Sequence, residues 1–126
     1  MRTIGVFSDR FRAEDGLVFE AQATLSAAPI LDTIVVAGGR GIQRPEVSDK
    51  VANWILKRVN DTRRIGAVCT GIYGVAPTGL LNGREVTTHW RFARDLAGGS
   101  LFYESVIGSL LFETAHTIRL PDLVVV

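Results

Sequence analysis

Cysteine occurs once in the 126 residues, as Cys69, so no internal disulfide can form and a disulfide-stapled secreted scaffold is excluded. Charge of one sign is also lacking. The net charge of +1 creates no field that would draw nucleic acid or an anionic lipid surface. No window approaches the ~20 consecutive apolar residues of a membrane span. The opening Met1-Arg2-Thr3-Ile4-Gly5 has no apolar stretch of signal-peptide length. A soluble, cytoplasmic protein with no membrane partner is therefore expected. With two distant histidines, His89 and His116, and no cysteine pair, the ligand spacing of a metal site is missing. Gly38, Gly39 and Gly41 form neither a dinucleotide fingerprint nor a phosphate loop, so no nucleotide and no other cofactor is expected.

What is present is a chain that is 47% hydrophobic and 21% charged, enough apolar material for the core of one domain. Thr3 to Ser8 reads as a short strand, and Leu17 to Ala23 as another because Leu17, Phe19 and Ala21 alternate with less apolar neighbours. Thr33-Ile34-Val35-Val36-Ala37 is a compact β-branched run ending in Gly38-Gly39, which suits a strand buried on both faces of a parallel sheet. Pro45 opens a helix whose stripe is Val47, Val51, Trp54, Ile55 and Val59, with Glu46 and Asp49 at its start and Lys57 and Arg58 at its end. After a polar turn, Ile65-Gly66-Ala67-Val68 is a second buried run. Strand, helix and strand over this distance make a right-handed βαβ unit, and the fold class follows: a three-layer α/β domain with a mainly parallel sheet. Ser105 to Leu120 reads as an imperfect helix and Leu123 to Val126 as a strand.

The chemistry concentrates at Ala67-Val68-Cys69-Thr70-Gly71, which has the form small-x-nucleophile-x-small. A sharp strand-to-helix turn needs small residues two positions either side of the nucleophile, and it leaves that side chain strained and exposed above the strand ends. Backbone amides at the start of the following helix can receive developing negative charge. Cys69 is the candidate catalytic residue; the alternative is a small buried hydrophobe at a strand end.

The motifs together resemble the ThiJ/PfpI, or class I glutamine amidotransferase-like, superfamily. Asp32-Thr33-Ile34-Val35-Val36-Ala37-Gly38-Gly39 is similar to its second buried strand and glycine turn, and Arg64 to Gly71 to its nucleophile strand and elbow. Thr78-Gly79-Leu80-Leu81-Asn82-Gly83-Arg84 and Thr87-Thr88-His89-Trp90 follow in the family's order. The likeness is to the branch at the front of AraC-type transcriptional regulators and to the isonitrile hydratases, and it runs from about Thr33 to Ala97. It implies a flavodoxin-like, Rossmann-like fold, with residues 1–97 as the family domain. Residues 98–126 are a tail that departs from the pattern and is expected to pack on the same domain. The resemblance also implies that backbone amides after the Thr33 strand line a pocket facing the cysteine.

The departures shape the expectations. In the family an earlier strand supplies the acidic residue that contacts the elbow cysteine, and no residue here aligns with it. Glu14, Asp15 and Glu20 are acidic, but nothing in the sequence places them near Cys69. From Gly98 onward the family's Thr-Ser-Ala-Gly-like segment and closing helix have no counterpart. A shortened or altered gene product, or a fragment of a regulator, is expected, incomplete at both ends. Its exposed sheet edges would favour a homo-oligomer.

Thr70 stands where many hydrolytic members carry histidine; it could hydrogen-bond a ligand, offer its amide, or cap the elbow helix. His89, twenty residues beyond Cys69, either lines the site or packs locally. Trp54 and Trp90 are expected in the core, and the Lys57-Arg58 and Arg63-Arg64 pairs on a solvated face. The predicted ligand-binding set is Gly38, Gly39, Thr70, Gly71 and His89. Three functions follow. The first is a small-molecule-sensing domain of an AraC-type regulator, with DNA bound only through a separate domain. The second is a cysteine-dependent isonitrile hydratase or amidase-like enzyme, with the Gly39 and Thr70 amides as oxyanion donors. The third is a redox-sensitive protein in which Cys69 is reversibly oxidised.

Overall fold

The β-branched runs settle into strands and the Pro45 segment into a helix in a computed structural model, which describes residues 1–82 and the backbone of residues 118–119 and 124–125. Short strands come first. β1 (Ile4–Gly5) pairs in parallel with β4 (Ala23–Thr24), and between them β2 (Arg10–Arg12) and β3 (Val18–Glu20) form an antiparallel hairpin with Phe11 opposite Phe19. The expected Leu17–Ala23 strand is therefore two strands. Val18–Glu20 serves the hairpin, and the chain then changes partner so that Ala23–Thr24 can join β1.

The central sheet is built on β5 (Thr33–Val36) and β6 (Arg64–Ala67), parallel and in register from Thr33 opposite Arg64 to Val36 opposite Ala67. Two further strands flank the other edge of β6: β7 (Ile118–Arg119), antiparallel, and β8 (Val124–Val125), parallel. Ile118–Arg119 falls inside the stretch read from sequence as a helix and is a strand, whereas Val124–Val125 lies in the stretch read as one. The remainder of the expected Ser105–Leu120 helix lies outside the described residues.

Helix α1 (Pro45–Leu56) links β5 to β6. Proline at the first helical position gives up an amide that no helix bond would use, and Glu46 in the first turn suits the positive end of the helix. Val51, Ala52 and Ile55 are buried, at the helical spacings of one, three and four. Val51 and Ile55 meet Ile34 and Val36 from β5, Ile65 and Ala67 from β6, and Ile72, Val75 and Leu81 from beyond it. Ile55, Ile65, Ile72, Val75 and Leu81 are completely buried. At roughly 1.5–3 kcal/mol for each large aliphatic side chain, this cluster is a large source of stability among the described residues.

Burial along β5 alternates: Ile34 and Val36 face α1, while Val35 is 62% exposed. The expectation that this strand is buried on both faces is thus corrected. Among the described residues, the α1 side is covered and the Val35 side is open. Trp54 packs against the core as expected, with its indole nitrogen donating to the Leu25 carbonyl (2.6 Å) and Arg58 lying over its ring. Two arginines read as solvated have fixed partners. Arg58 donates to the carbonyls of Ala28 and Pro29, tying the segment after β4 to the end of α1.

Arg63 grips Asp32 through two bonds of 2.7 Å, and the amides of Arg63 and Arg64 both donate to the Asp32 carbonyl. This joins the starts of β5 and β6. The Arg63 guanidinium first, then the Thr33 hydroxyl, holds the Asp32 carboxyl down at about 2, from 3.8. A depressed carboxylate adds stability above its unfolded value and loses it as pH falls through its folded one. Between about pH 4 and 2, thermal denaturation should therefore show a loss of stability that is reduced in Asp32→Asn. Because the pair is half exposed, the effect should be small and weaker still in high salt.

Candidate functional site

β6 ends at Ala67 and the chain turns at once. Cys69 adopts φ +52°, the one non-glycine with positive φ among the described residues, and its side chain is exposed. Holding a non-glycine residue there costs of order 1 kcal/mol or more, so its surroundings must enforce the conformation. They do so through backbone contact. Gly71 lies so close to β5 that a Cβ added to it would sit 2.2 Å from the Val36 carbonyl oxygen. Val36 in turn accepts the Val68 amide at 2.9 Å. A Cβ on Gly38 would lie 3.1 Å from Cys69 Cβ and 2.9 Å from the Val68 carbonyl oxygen. Gly71 at one end of the expected motif, and Gly38 on the facing turn, stand where two backbones touch, and this close approach is the physical demand that a small residue at that end of the pattern encodes.

Thr70 completes the joint. Its hydroxyl, in a side chain 5% exposed, accepts the Gly39 amide at 2.9 Å and donates to the Gly39 carbonyl at 3.1 Å. The hydroxyl does not cap the segment that follows Cys69; it clamps the elbow to the glycine turn. The Gly39 amide, expected as an oxyanion donor, is directed to that hydroxyl instead. Gly39 itself has φ +129°, open to glycine and strained for other residues, which bends the chain toward Thr70.

Beyond Cys69 the structure differs from the expected α-helix. Cys69–Gly74 is a 3-10 helix, followed by a second short one, Ala76–Thr78, which ends where Gly79 turns left-handed at φ +74°. Gly71, Gly74 and Pro77 interrupt any longer α-helical register. A macrodipole sums over aligned peptides, so these short segments offer less of one to the sulfur than the expected helix would. Among the described residues, no side chain hydrogen-bonds to Cys69.

Sequence reasoning missed Glu14. It sits at the tip of the β2–β3 hairpin, and its carboxylate accepts the Arg40 amide and faces the Arg40 guanidinium (3.8 Å). One of its oxygens lies 3.4 Å from where a Gly39 Cβ would be. An acidic side chain is thus held on the same glycine turn that touches Cys69. The Glu14-Asp15-Gly16 hairpin turn was the available signal, but nothing in it gives a distance. The structure brings together Cys69, Gly38, Gly39, Thr70 and Gly71. His89, the last residue of the predicted set, lies outside the described residues, as do Trp90 and His116. Two surface hollows open elsewhere, one beside Leu25, Ser26, Lys50, Asn53, Trp54 and Lys57, the other along residues 59–63; neither includes Cys69. No metal-holding group of three His, Cys, Asp or Glu side chains is found among the described residues, nor any helix long and apolar enough to cross a membrane.

Comparison with known proteins agrees with this geometry. The model of the DJ-1/PfpI family matches residues 1–122. The chain is 40% identical over 78 residues to the HTH-type transcriptional regulator GbdR of Pseudomonas aeruginosa, covering 62% of this chain and 21% of that protein. It is 32% identical over 77 residues to the isonitrile hydratase of Pseudomonas putida, covering 61% of this chain and 34% of that one. The chain therefore spans about a fifth to a third of the length of these curated relatives. Among solved structures, an AraC family transcriptional regulator from Pseudomonas putida superposes over 98% of this chain and 63% of its own, with a TM-score of 0.68 at 18% identity, a likeness of fold alone.

Proposed function

The chain belongs to the DJ-1/PfpI family, and from that premise we propose that it is a small-molecule-sensing domain of the kind found in AraC-type transcriptional regulators. The observation that carries this reading is the 40% identity to a regulator whose name marks it as of helix-turn-helix type. The ligand binds above the elbow, against exposed Cys69 and the backbone of Gly38, Gly39, Thr70 and Gly71, with His89 as a further wall. DNA is contacted by a separate domain, in the cytoplasm. Exposed Phe11, Leu17, Val18 and Phe19 on the β2–β3 hairpin support self-association.

A thermal-shift screen of small metabolites, with hits tested for slowing of Cys69 alkylation, examines this reading. A stabilising ligand that also shields Cys69 is the expected result; stabilising ligands that all leave the alkylation rate unchanged would move the site elsewhere. A second reading, cysteine-dependent hydrolysis or hydration, is favoured by the strained, exposed Cys69 and by the hydratase relative. Turnover of isonitriles or amides that disappears in Cys69→Ser would establish it over sensing.

A further inference from the structure

We infer that the Gly38–Arg40 turn is a carboxylate-binding site that the chain's own Glu14 occupies, so that a small carboxylate ligand gains entry by displacing Glu14 and releasing the β2–β3 hairpin. This rests on the sensing reading and names the class of ligand. Glu14 makes the contacts a carboxylate ligand would make: one oxygen takes the Arg40 backbone amide, and the other faces the Arg40 guanidinium. Gly39, held at φ +129°, turns the chain so that the Glu14 carboxylate lies against it, one oxygen 3.4 Å from where its Cβ would be. The turn lies against Cys69 through Gly38 and is fastened to the elbow through Thr70.

The internal carboxylate is easily displaced. Arg40 is 91% exposed and Glu14 55%, and an exposed ion pair contributes little to stability. The hairpin turn keeps its shape without this contact. Ala13 donates to the Leu17 carbonyl, Gly16 to the Ala13 carbonyl and Arg12 to the Gly16 carbonyl, while Asp15 accepts the Leu17 amide. Its strands are exposed throughout. Release of Glu14 therefore frees a preformed hairpin as a unit, giving a carboxylate at the elbow a visible structural consequence. Because Glu14 is tethered, it competes at a fixed effective concentration, and its removal must strengthen binding of a free carboxylate.

The test is a titration of the full chain with acetate at constant ionic strength, reading the amide resonances of Gly39 and Arg40 and hydrogen exchange over residues 10–20. Acetamide and chloride serve as controls. Saturable acetate shifts are expected in the wild type, with faster hairpin exchange as acetate binds. Acetate affinity should rise about fivefold in Glu14→Ala, by less in Glu14→Gln, and fall several-fold in Arg40→Ala. Equal affinity in all four proteins, equal response to acetamide or chloride, or no saturable shift in Glu14→Ala would overturn the inference. If a different ligand shields Cys69 in those circumstances, sensing stands and the carboxylate site alone falls.

Discussion

Gly71→Ala should destabilise the domain by about 3 kcal/mol or more, measured as a lower denaturant midpoint with an unchanged slope. The added methyl would stand 2.2 Å from the Val36 carbonyl oxygen, 2.9 Å from the Val36 carbonyl carbon and 3.2 Å from that of Ala37. All three are backbone atoms, so no side chain can swing aside to relieve the overlap. Val36 also receives the Val68 amide, and its displacement would loosen the contact that holds Cys69 in its left-handed conformation. Gly41→Ala is the control. Nothing lies within 4 Å of its added Cβ, and the change should stay within about 0.5 kcal/mol. Comparable losses in the two variants would mean that generic helix or turn propensity, rather than the elbow contact, sets the requirement for glycine.

Ile65→Ala should cost about 2–5 kcal/mol, again by denaturant unfolding. Ile65 is fully buried on β6 and shares one cluster with Ile55 of α1 and Ile72 beyond the elbow. Its truncation leaves a cavity bounded by the sheet and the helix as well as losing apolar burial. A domain of this size has only about 5–15 kcal/mol in hand, so the variant should be close to unfolding at physiological temperature. Val35→Ala provides the comparison on the neighbouring strand. Val35 is 62% exposed, and its truncation should cost about 0.5 kcal/mol. Similar costs at the two positions would contradict the placement of Ile65 in the core and of Val35 outside it.

Periodicity and small-residue spacing make the βαβ unit and the elbow legible in the sequence. Val51 and Ile55 are buried on the predicted helical stripe, and Ile65 and Ala67 on the predicted strand. Glycine at positions 38 and 71 reported close backbone approach because its lack of a Cβ is the only way to satisfy it. What could not be read was partner choice. Alternation along residues 17–23 is the same whether the strand serves one neighbour or two, so the break between β3 and β4 was invisible. An acidic residue carries no range information, so Glu14 could not be placed beside Gly39. Thr70 was ambiguous for a similar reason: its hydroxyl fits a cap, a ligand or a backbone clamp, and only tertiary contact selects among them. Helix type beyond Cys69 was missed because the nucleophile pattern specifies the turn and not the hydrogen-bond register after it.

The central claim is that Cys69 stands exposed on a rigid elbow at the place where ligand arrives. Its rate of alkylation by iodoacetamide in the folded chain, set against the denatured chain at the same pH, tests this most directly. The folded protein should label without prior unfolding, at a rate within about tenfold of the denatured reference, and more slowly once a stabilising ligand is bound. Labelling that waits for denaturation, or that no stabilising ligand slows, would contradict it and remove Cys69 from the site.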